Sequence, residues 1–238
     1  MPSLTDSVVL ITGANGGLGQ AFVAEALERG ASKVYATART PREWTDARVQ
    51  ALPLDINSAD SIEHVANQTR DVTIVVNNAG VAGAQQPVLQ TSLDDMRSLF
   101  ETNVFAQVAV TQAFAPILQR NGGGSFVNIH SAVSWLGTGD YAATKAAFWS
   151  LSNALRLELL EQGTHLVGAH LGYTDTPFIA GLDVPKNDPG DVVAAIYDGL
   201  ENGEYEVLAD DTSRQIKHAL SGPLTALYPR LEAANLSN

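Results

Sequence analysis

The stretch Val8-Val9-Leu10-Ile11-Thr12-Gly13-Ala14-Asn15-Gly16-Gly17-Leu18-Gly19 sets the reading of the whole chain. Its first four residues are apolar and mostly β-branched, which suits a strand buried on both faces. A helix-period pattern then runs over 18–29. Between the two, glycines let the backbone turn tightly and approach a bound group, and the helix N-terminus beyond them favours an anion such as a pyrophosphate. The spacing departs from G-x-G-x-x-G, because Asn15 and Phe22 stand where that pattern wants glycine. No Gly-Lys-Ser/Thr follows, so it is not a P-loop. Taken alone, the turn is equally compatible with a plain strand-to-helix connection.

Outward from this turn the alternation continues. Apolar runs at 34–38, 49–54, 73–76, 125–129, 166–171 and 205–208 are separated by helix-period segments at 58–69, 93–119, 140–162 and 190–200. Continuous apolar strands alternating with helices predict an α/β, doubly wound Rossmann fold: a parallel sheet of about seven strands with helices on both faces. No stretch has the composition of a linker, so residues 1–238 read as a single domain. Its cofactor half is expected over about 1–120 and its catalytic and substrate half over about 121–238. Ligands of such sheets bind beyond the carboxyl ends of the strands, so the residues just after each strand are the ones to weigh.

Composition narrows the chemistry. A net charge of −12, from 14 Lys+Arg against 26 Asp+Glu, argues against nucleic-acid or anionic-membrane partners. The absence of cysteine removes disulfides, thiolate metal sites, iron–sulfur clusters and cysteine nucleophiles. No basic leader precedes residue 8, and no apolar run approaches the ~18 residues of a membrane span, so a soluble, cytoplasmic protein is expected. The histidines at 64, 130, 165, 170 and 218 have no metal-binding spacing and read as structural.

Proteins that bind NAD usually hold its ribose with an Asp or Glu about twenty residues past the glycine turn. Residues 30–41 contain no acidic side chain and carry Lys33 and Arg39 instead, flanked by Arg29 and Arg42. Arg29 and Lys33 read as helix-end and strand-start charges, and Arg42 stays open. Arg39 directly follows the strand 34–38, where a guanidinium can grip a 2′-phosphate with two parallel hydrogen bonds and lie against adenine. NADP (NADPH) is therefore expected, with NAD second.

Tyr141-Ala142-Ala143-Thr144-Lys145 opens the helix-period segment 140–162, and residues four apart share one helix face. A free tyrosine titrates near 10, and lowering it by about three units needs roughly 4 kcal/mol. One cation about 4 Å away at an effective dielectric of 20 supplies that order of energy, so the pair is sufficient to make a proton donor. Such pairs are common on helix surfaces and are uninformative alone. Here Ser131 follows the strand 125–129, Asn77-Asn78-Ala79-Gly80 ends the strand 73–76, and Asn103 sits inside the helical segment 93–119.

With these motifs together the chain resembles the short-chain dehydrogenase/reductase family from about residue 8 to 208. The matching residues are Thr12-Gly13, Gly17, Gly19, Asp55, Asn77-Asn78-Ala79-Gly80, Asn103, Ser131, Tyr141 and Lys145. The resemblance implies that Tyr141 protonates the carbonyl oxygen during reduction. It implies that Lys145 depresses the tyrosine pKa and holds the nicotinamide ribose, that Ser131 orients the substrate oxygen, and that Asn103 binds a water leading to Lys145. The cofactor would be lined by Gly13, Asn15, Gly16, Gly17, Leu18 and Gly19, by Arg39, by Asp55 and Ile56 at the adenine edge, and by Asn78, Ala79 and Gly80. Gly172, Thr174 and Thr176 would complete it, with Thr176 against the carboxamide. Family members are usually homodimers or homotetramers, and the same is expected here.

Three departures from the family pattern bear on the site, one of them a short lid segment over 173–189 that implies an open substrate pocket. Ser131 and Tyr141 stand only ten residues apart, a shorter interval than is common, so Ser134 competes with Ser131 for the serine role. Leu171-Gly172 replaces the usual Pro-Gly. The pocket is expected to be walled by 81–89, Val133, Trp135, Leu136, Tyr173, Phe178, Ile179 and Leu182, with Ser131 and Tyr141 at its base. These walls are mostly apolar and hold no arginine, which favours a small hydrophobic ketone or aldehyde. The expected reaction is reversible, NADPH-dependent reduction to an alcohol. The alternatives are an NAD-linked alcohol dehydrogenase and a non-catalytic NADP-sensing protein. Apolar residues over 210–228 at near-helical spacing, broken at Gly222-Pro223, either pack on the sheet or join subunits.

Overall fold

The computed structural model describes residues 2–84 and 86–231. Seven parallel strands form one sheet in the order β3-β2-β1-β4-β5-β6-β7. In chain order they are β1 (Val8–Thr12), β2 (Lys33–Ala38), β3 (Val49–Pro53), β4 (Ile74–Asn77), β5 (Gly124–Ile129), β6 (Thr164–His170) and β7 (Glu206–Leu208). The strand order reverses between β1 and β4, which pair directly, and that is where a doubly wound sheet opens a crevice.

Alternation within strands builds two cores. Val9 and Ile11 of β1, Val76 of β4 and Val127 of β5 pack with α1 (Gly17–Glu28) and α6 (Pro189–Glu201) on one face. Leu10, Val75 and Phe126 point the other way. They meet α2 (Ala59–Gln68), α4 (Ala106–Arg120) and the far end of α5 (Asp140–Leu160). The central strands are buried on both faces, as the apolar runs predict. β3 is an edge strand and half exposed, which its lone apolar pattern did not signal.

The helix expected over 93–119 is not continuous. It divides into α3 (Leu93–Phe100) and α4, joined by one π-helical turn at Glu101–Phe105 that holds Asn103. Its signature is the Ala106 amide donating to the Glu101 carbonyl, one residue further back than in an α-helix. The C-terminal segment adds α7 (Asp211–Ala219) and the short α8 (Leu224–Leu227). α7 packs on the turn Ala132–Trp135 that follows β5. No helix among the described residues is long and apolar enough to cross a membrane.

Candidate active site

The site assembles at the carboxyl ends of β1, β4, β5 and β6. Gly13 adopts φ +67°, and a side chain there would press its Cβ to 2.9 Å from the Ala79 backbone. At Gly19 an added Cβ would stand 2.4 Å from the Gly13 carbonyl oxygen. The turn is therefore glycine-bound at both ends. No side chain caps the start of α1, although a cap is worth ~1 kcal/mol. Those first amides and the positive end of the helix dipole suit an anionic group such as a pyrophosphate.

Neighbouring strands are tied to this turn. Thr12 Oγ1 accepts the amides of Asn78 and Ala79, both at 3.0 Å, and Asn78 Nδ2 donates to the Thr12 carbonyl at 2.8 Å. Thr12 and Asn78 thus weld the ends of β1 and β4. A Cβ on Gly17 would meet Thr176 at 2.8 Å, so the loop after β6 lies directly over the glycine turn. In that loop Thr174 Oγ1 donates to the Gly172 carbonyl, and Thr176 Oγ1 donates to the Thr174 carbonyl. Asn15 fastens the segment after β2: its Nδ2 donates to the Thr40 carbonyl at 2.7 Å, and its Oδ1 accepts the Arg42 amide at 3.2 Å.

Arg39 is exposed just past the end of β2. No ion pair or hydrogen bond occupies its guanidinium among the described residues. Arg42 is committed differently, reaching Gln20 Oε1 at 2.5 Å and lying 5.0 Å over the Trp44 ring. The open residue of the pair is thus spent on a protein contact, and Arg39 is the free cation at this edge. Asp55 turns its Oδ1 onto the Asn57 amide, and Ile56 is buried in the core beside it.

Tyr141 and Lys145 lie on one face of the first turns of α5, with the Lys145 ammonium 5.8 Å from the Tyr141 ring centroid. Lys145 is buried and Tyr141 half-buried. Lys145 Nζ donates to the Ile129 carbonyl at 2.9 Å, at the end of β5. Burial lowers the lysine to about 8. It raises Tyr141 above its ordinary value, with no opposing contribution from Lys145. The ammonium points to the Ile129 carbonyl, and desolvation raises the phenol. A phenol held protonated is nonetheless the form that can donate.

The two candidate serines differ in burial. Ser134 is buried, and its Oγ accepts the Ser131 amide at 3.2 Å, closing a capping box on the turn. Ser131 is half-buried; its Oγ accepts the Val133 amide at 3.2 Å and lies 3.4 Å from the Leu171 carbonyl. Ser131 is the one left facing outward.

Asn103 is bonded into the fold through its side chain. Its Oδ1 accepts the Val81 amide and its Nδ2 donates to the Val81 carbonyl, each at 2.9 Å; Nδ2 also reaches Thr144 Oγ1 at 3.2 Å. The side chain is a tie between the loop after β4, the π turn and α5. Gly80 leaves room for it, since a Cβ there would stand 3.3 Å from Asn103 Oδ1 and 4.0 Å from Lys145 Nζ. Beneath lies a second buried layer, in which Asn77 Nδ2 donates to Thr111 Oγ1 and Asn128 Oδ1, and Asn128 Nδ2 to Ser152 Oγ.

Of the pocket walls, Phe178 lies beside Tyr141, ring centroids 5.9 Å apart, and Tyr173 is half exposed nearby in sequence. Val81, Val88 and Leu89 are exposed; Gln85 lies outside the described residues. Val133 is half-buried. Trp135 does not join this wall. Its ring is buried, stacked on His170 at 4.0 Å and covered by the Lys217 ammonium at 4.8 Å. The turn Ala132–Trp135 sends Val133 and Trp135 to different environments, which residue type alone does not reveal.

Comparison with known proteins gives the same class. The sequence profile described as short chain dehydrogenase matches residues 7–185. A 1-deoxy-11-beta-hydroxypentalenate dehydrogenase from Streptomyces exfoliatus is 30% identical over 236 residues, covering 89% of this chain and 86% of that protein. A short chain dehydrogenase from Burkholderia cenocepacia, solved in complex with NADP, superposes with a TM-score of 0.91 at 30% identity, covering 96% of this chain and 98% of that one. A Sphingobium yanoikuyae short-chain dehydrogenase in complex with NADPH gives 0.79 at 27% identity, covering 91% and 92%. The chain belongs to the short-chain dehydrogenase family. It is accordingly an oxidoreductase acting between CH–OH and C=O groups.

Proposed function

We propose that the chain is an NADPH-dependent reductase that converts a hydrophobic ketone or aldehyde to the alcohol, reversibly, within a single domain. The observation that carries this reading is the Tyr141–Lys145 pair on α5, its lysine buried against the end of β5, beside a glycine turn roofed by Thr176. Arg39, free and cationic in a strongly acidic protein, is the group placed for the 2′-phosphate. The nearby relatives solved with NADP and NADPH support the same cofactor.

Bound NADPH would supply the hydride to the carbonyl carbon. Tyr141 donates its phenolic proton to the carbonyl oxygen as the C–H bond forms, leaving a tyrosinate beside the Lys145 ammonium. Ser131 Oγ orients that oxygen and stabilises the charge developing on it. Lys145 holds the nicotinamide ribose, while Asn103 fixes α5 against the loop after β4. Gly13, Asn15, Gly16, Gly17, Leu18 and Gly19 receive the pyrophosphate, Asp55 and Ile56 the adenine edge, and Asn78, Ala79, Gly80, Gly172, Thr174 and Thr176 the remainder. The exposed apolar rim of Val88, Leu89, Tyr173 and Phe178 favours an apolar substrate. A homo-oligomer working in the cytoplasm fits this assignment.

The test is loss of nicotinamide absorbance with NADPH and NADH in parallel, over aromatic and aliphatic ketones and aldehydes. NADPH-preferring turnover that vanishes in Tyr141→Phe, with NADPH affinity within about threefold of wild type, supports the assignment. Turnover retained by Tyr141→Phe sinks the proposed acid. Preference for NADH overturns the cofactor reading.

A further inference from the structure

A buried cluster beneath Ser131 takes no part in the chemistry proposed above. His170 ends β6, fully buried, and its Nδ1 lies 3.1 Å from the Ser131 carbonyl oxygen. Burial lowers the imidazole to about 4, so the ring is neutral near pH 7. A carbonyl can only accept, which places the proton on Nδ1. The ring cannot easily turn away. Trp135 stacks on one side at 4.0 Å, His130 lies 5.0 Å off and Trp149 meets it edge-on at 6.4 Å. Its Nε2 has no hydrogen-bond partner; Glu206 stands 3.7 Å away and is engaged by Lys217 at 2.7 Å. The bond to Ser131 is therefore the ring's single polar tie among the described residues.

What it ties is the peptide that leaves Ser131. The oxygen of that peptide accepts from His170 Nδ1 and from the Ser134 amide at 3.0 Å. Its N–H, belonging to Ala132, donates to the Leu171 carbonyl at 2.8 Å. The last residue of β6 and the residue after it thus hold both edges of one peptide plane. With the Ser131 amide held by Ser134 Oγ on its other side and Oγ held by the Val133 amide, that plane limits the direction of the Ser131 Cα–Cβ bond and of the hydroxyl.

We infer that His170 is a positioning residue, fixing the Ser131 hydroxyl toward the substrate oxygen through the Ser131 carbonyl. The inference rests on the role proposed for Ser131. His170→Leu removes the donor and keeps the ring site apolar. His170→Asn keeps an N–H close to the place of Nδ1, whereas His170→Gln carries its amide toward Nε2.

The experiment measures kcat, KM, NADPH affinity and melting temperature for these variants, for Ser131→Ala and for Ser131→Ala/His170→Leu. His170→Leu is expected to lower kcat about tenfold, the effect of one lost hydrogen bond to a buried acceptor, with KM and NADPH affinity within about twofold. His170→Asn should return kcat to within about threefold of wild type, and His170→Gln should not. In the Ser131→Ala background, His170→Leu should cost no further activity. An additive loss in the double variant, or equal losses in the Asn and Gln variants, overturns the positioning role while leaving the serine in place. Wild-type kcat in Ser131→Ala removes the serine reading itself, and this inference with it. Should His170→Leu not fold, the Asn and Gln pair decides the matter alone.

Discussion

Asn103 and Val81 form a reciprocal pair: the side-chain amide of one satisfies both backbone polar groups of the other, at 2.9 Å each way. The pair closes where the π turn displaces Asn103 from the α-helical register, and Thr144 gives it a third bond into α5. Asn103→Asp keeps the shape but removes both donor bonds and sets a carboxylate against the Val81 carbonyl. Two buried hydrogen bonds lost this way cost about 2–3 kcal/mol, which for a chain of this size lowers the melting temperature by roughly 4–10 °C. A thermal melt monitored by circular dichroism measures it. An unchanged midpoint would mean that the π turn is held by other contacts.

Lys145 makes stability depend on pH in an unusual direction. Its folded pKa is about 8 against 10.5 for a free lysine. Between those values the unfolded chain binds more protons than the folded one, so this group adds stability as pH rises. Below pH 8 the buried ammonium is charged in both states and its desolvation is borne in full. From pH 8 to pH 10 the contribution grows by roughly 2–3 kcal/mol. Urea unfolding of wild type and Lys145→Met across that range should show the wild type gaining by this amount relative to the variant. Parallel curves would contradict the burial of a titrating lysine. The window ends near pH 10, where Tyr141 and Tyr197 begin to favour unfolding.

Arg39 offers a prediction about the cofactor alone. A charge-assisted, two-pronged contact to a 2′-phosphate is worth about 2–3 kcal/mol, and an aspartate in its place adds repulsion. Arg39→Asp should therefore weaken NADPH at least about a hundredfold and change NADH by less than about fivefold. Fluorescence titration with each cofactor reads both numbers. Equal loss for the two would place the 2′-phosphate elsewhere, with Arg42 the next residue to replace.

Much of this architecture was legible because its signals are local. Residues 8–11 and 74–76 are apolar throughout, since both faces are covered, and that pattern announces a parallel sheet. The glycines were legible because backbone crowding at Gly13 and Gly19 leaves no alternative residue. What escaped depends on partners distant in sequence. The π turn is stabilised by Val81 and Thr144, so nothing within 93–119 marks it. Trp135 looked like a pocket wall until His170 and Lys217 claimed its two faces. His170 and Thr144 drew no notice as site residues because an unremarkable residue type becomes informative only through the groups it touches. A spacing of four fixes the face that Tyr141 and Lys145 share and leaves open where the lysine head points, which is the Ile129 carbonyl.

The last relationship joins residues 91 apart in sequence. The Gly137 amide donates to Tyr228 Oη, so the segment around α8 holds the short loop that joins the Ser131 turn to the start of α5. The shortened interval between Ser131 and Tyr141 leaves that loop few bonds of its own, and one of them is supplied from the C-terminal segment. Tyr228→Phe keeps the ring and removes the acceptor. Because the contact is solvent-exposed, the global cost should stay near 1 kcal/mol, a shift of only about 2–4 °C in the melt. The local effect should be larger. Hydrogen exchange at Gly137 should accelerate at least about tenfold, while amides in the middle of α5 keep wild-type protection. Exchange at Gly137 that is indifferent to Tyr228→Phe would show that the loop is ordered by its own turns, and that the C-terminal segment merely rests against it.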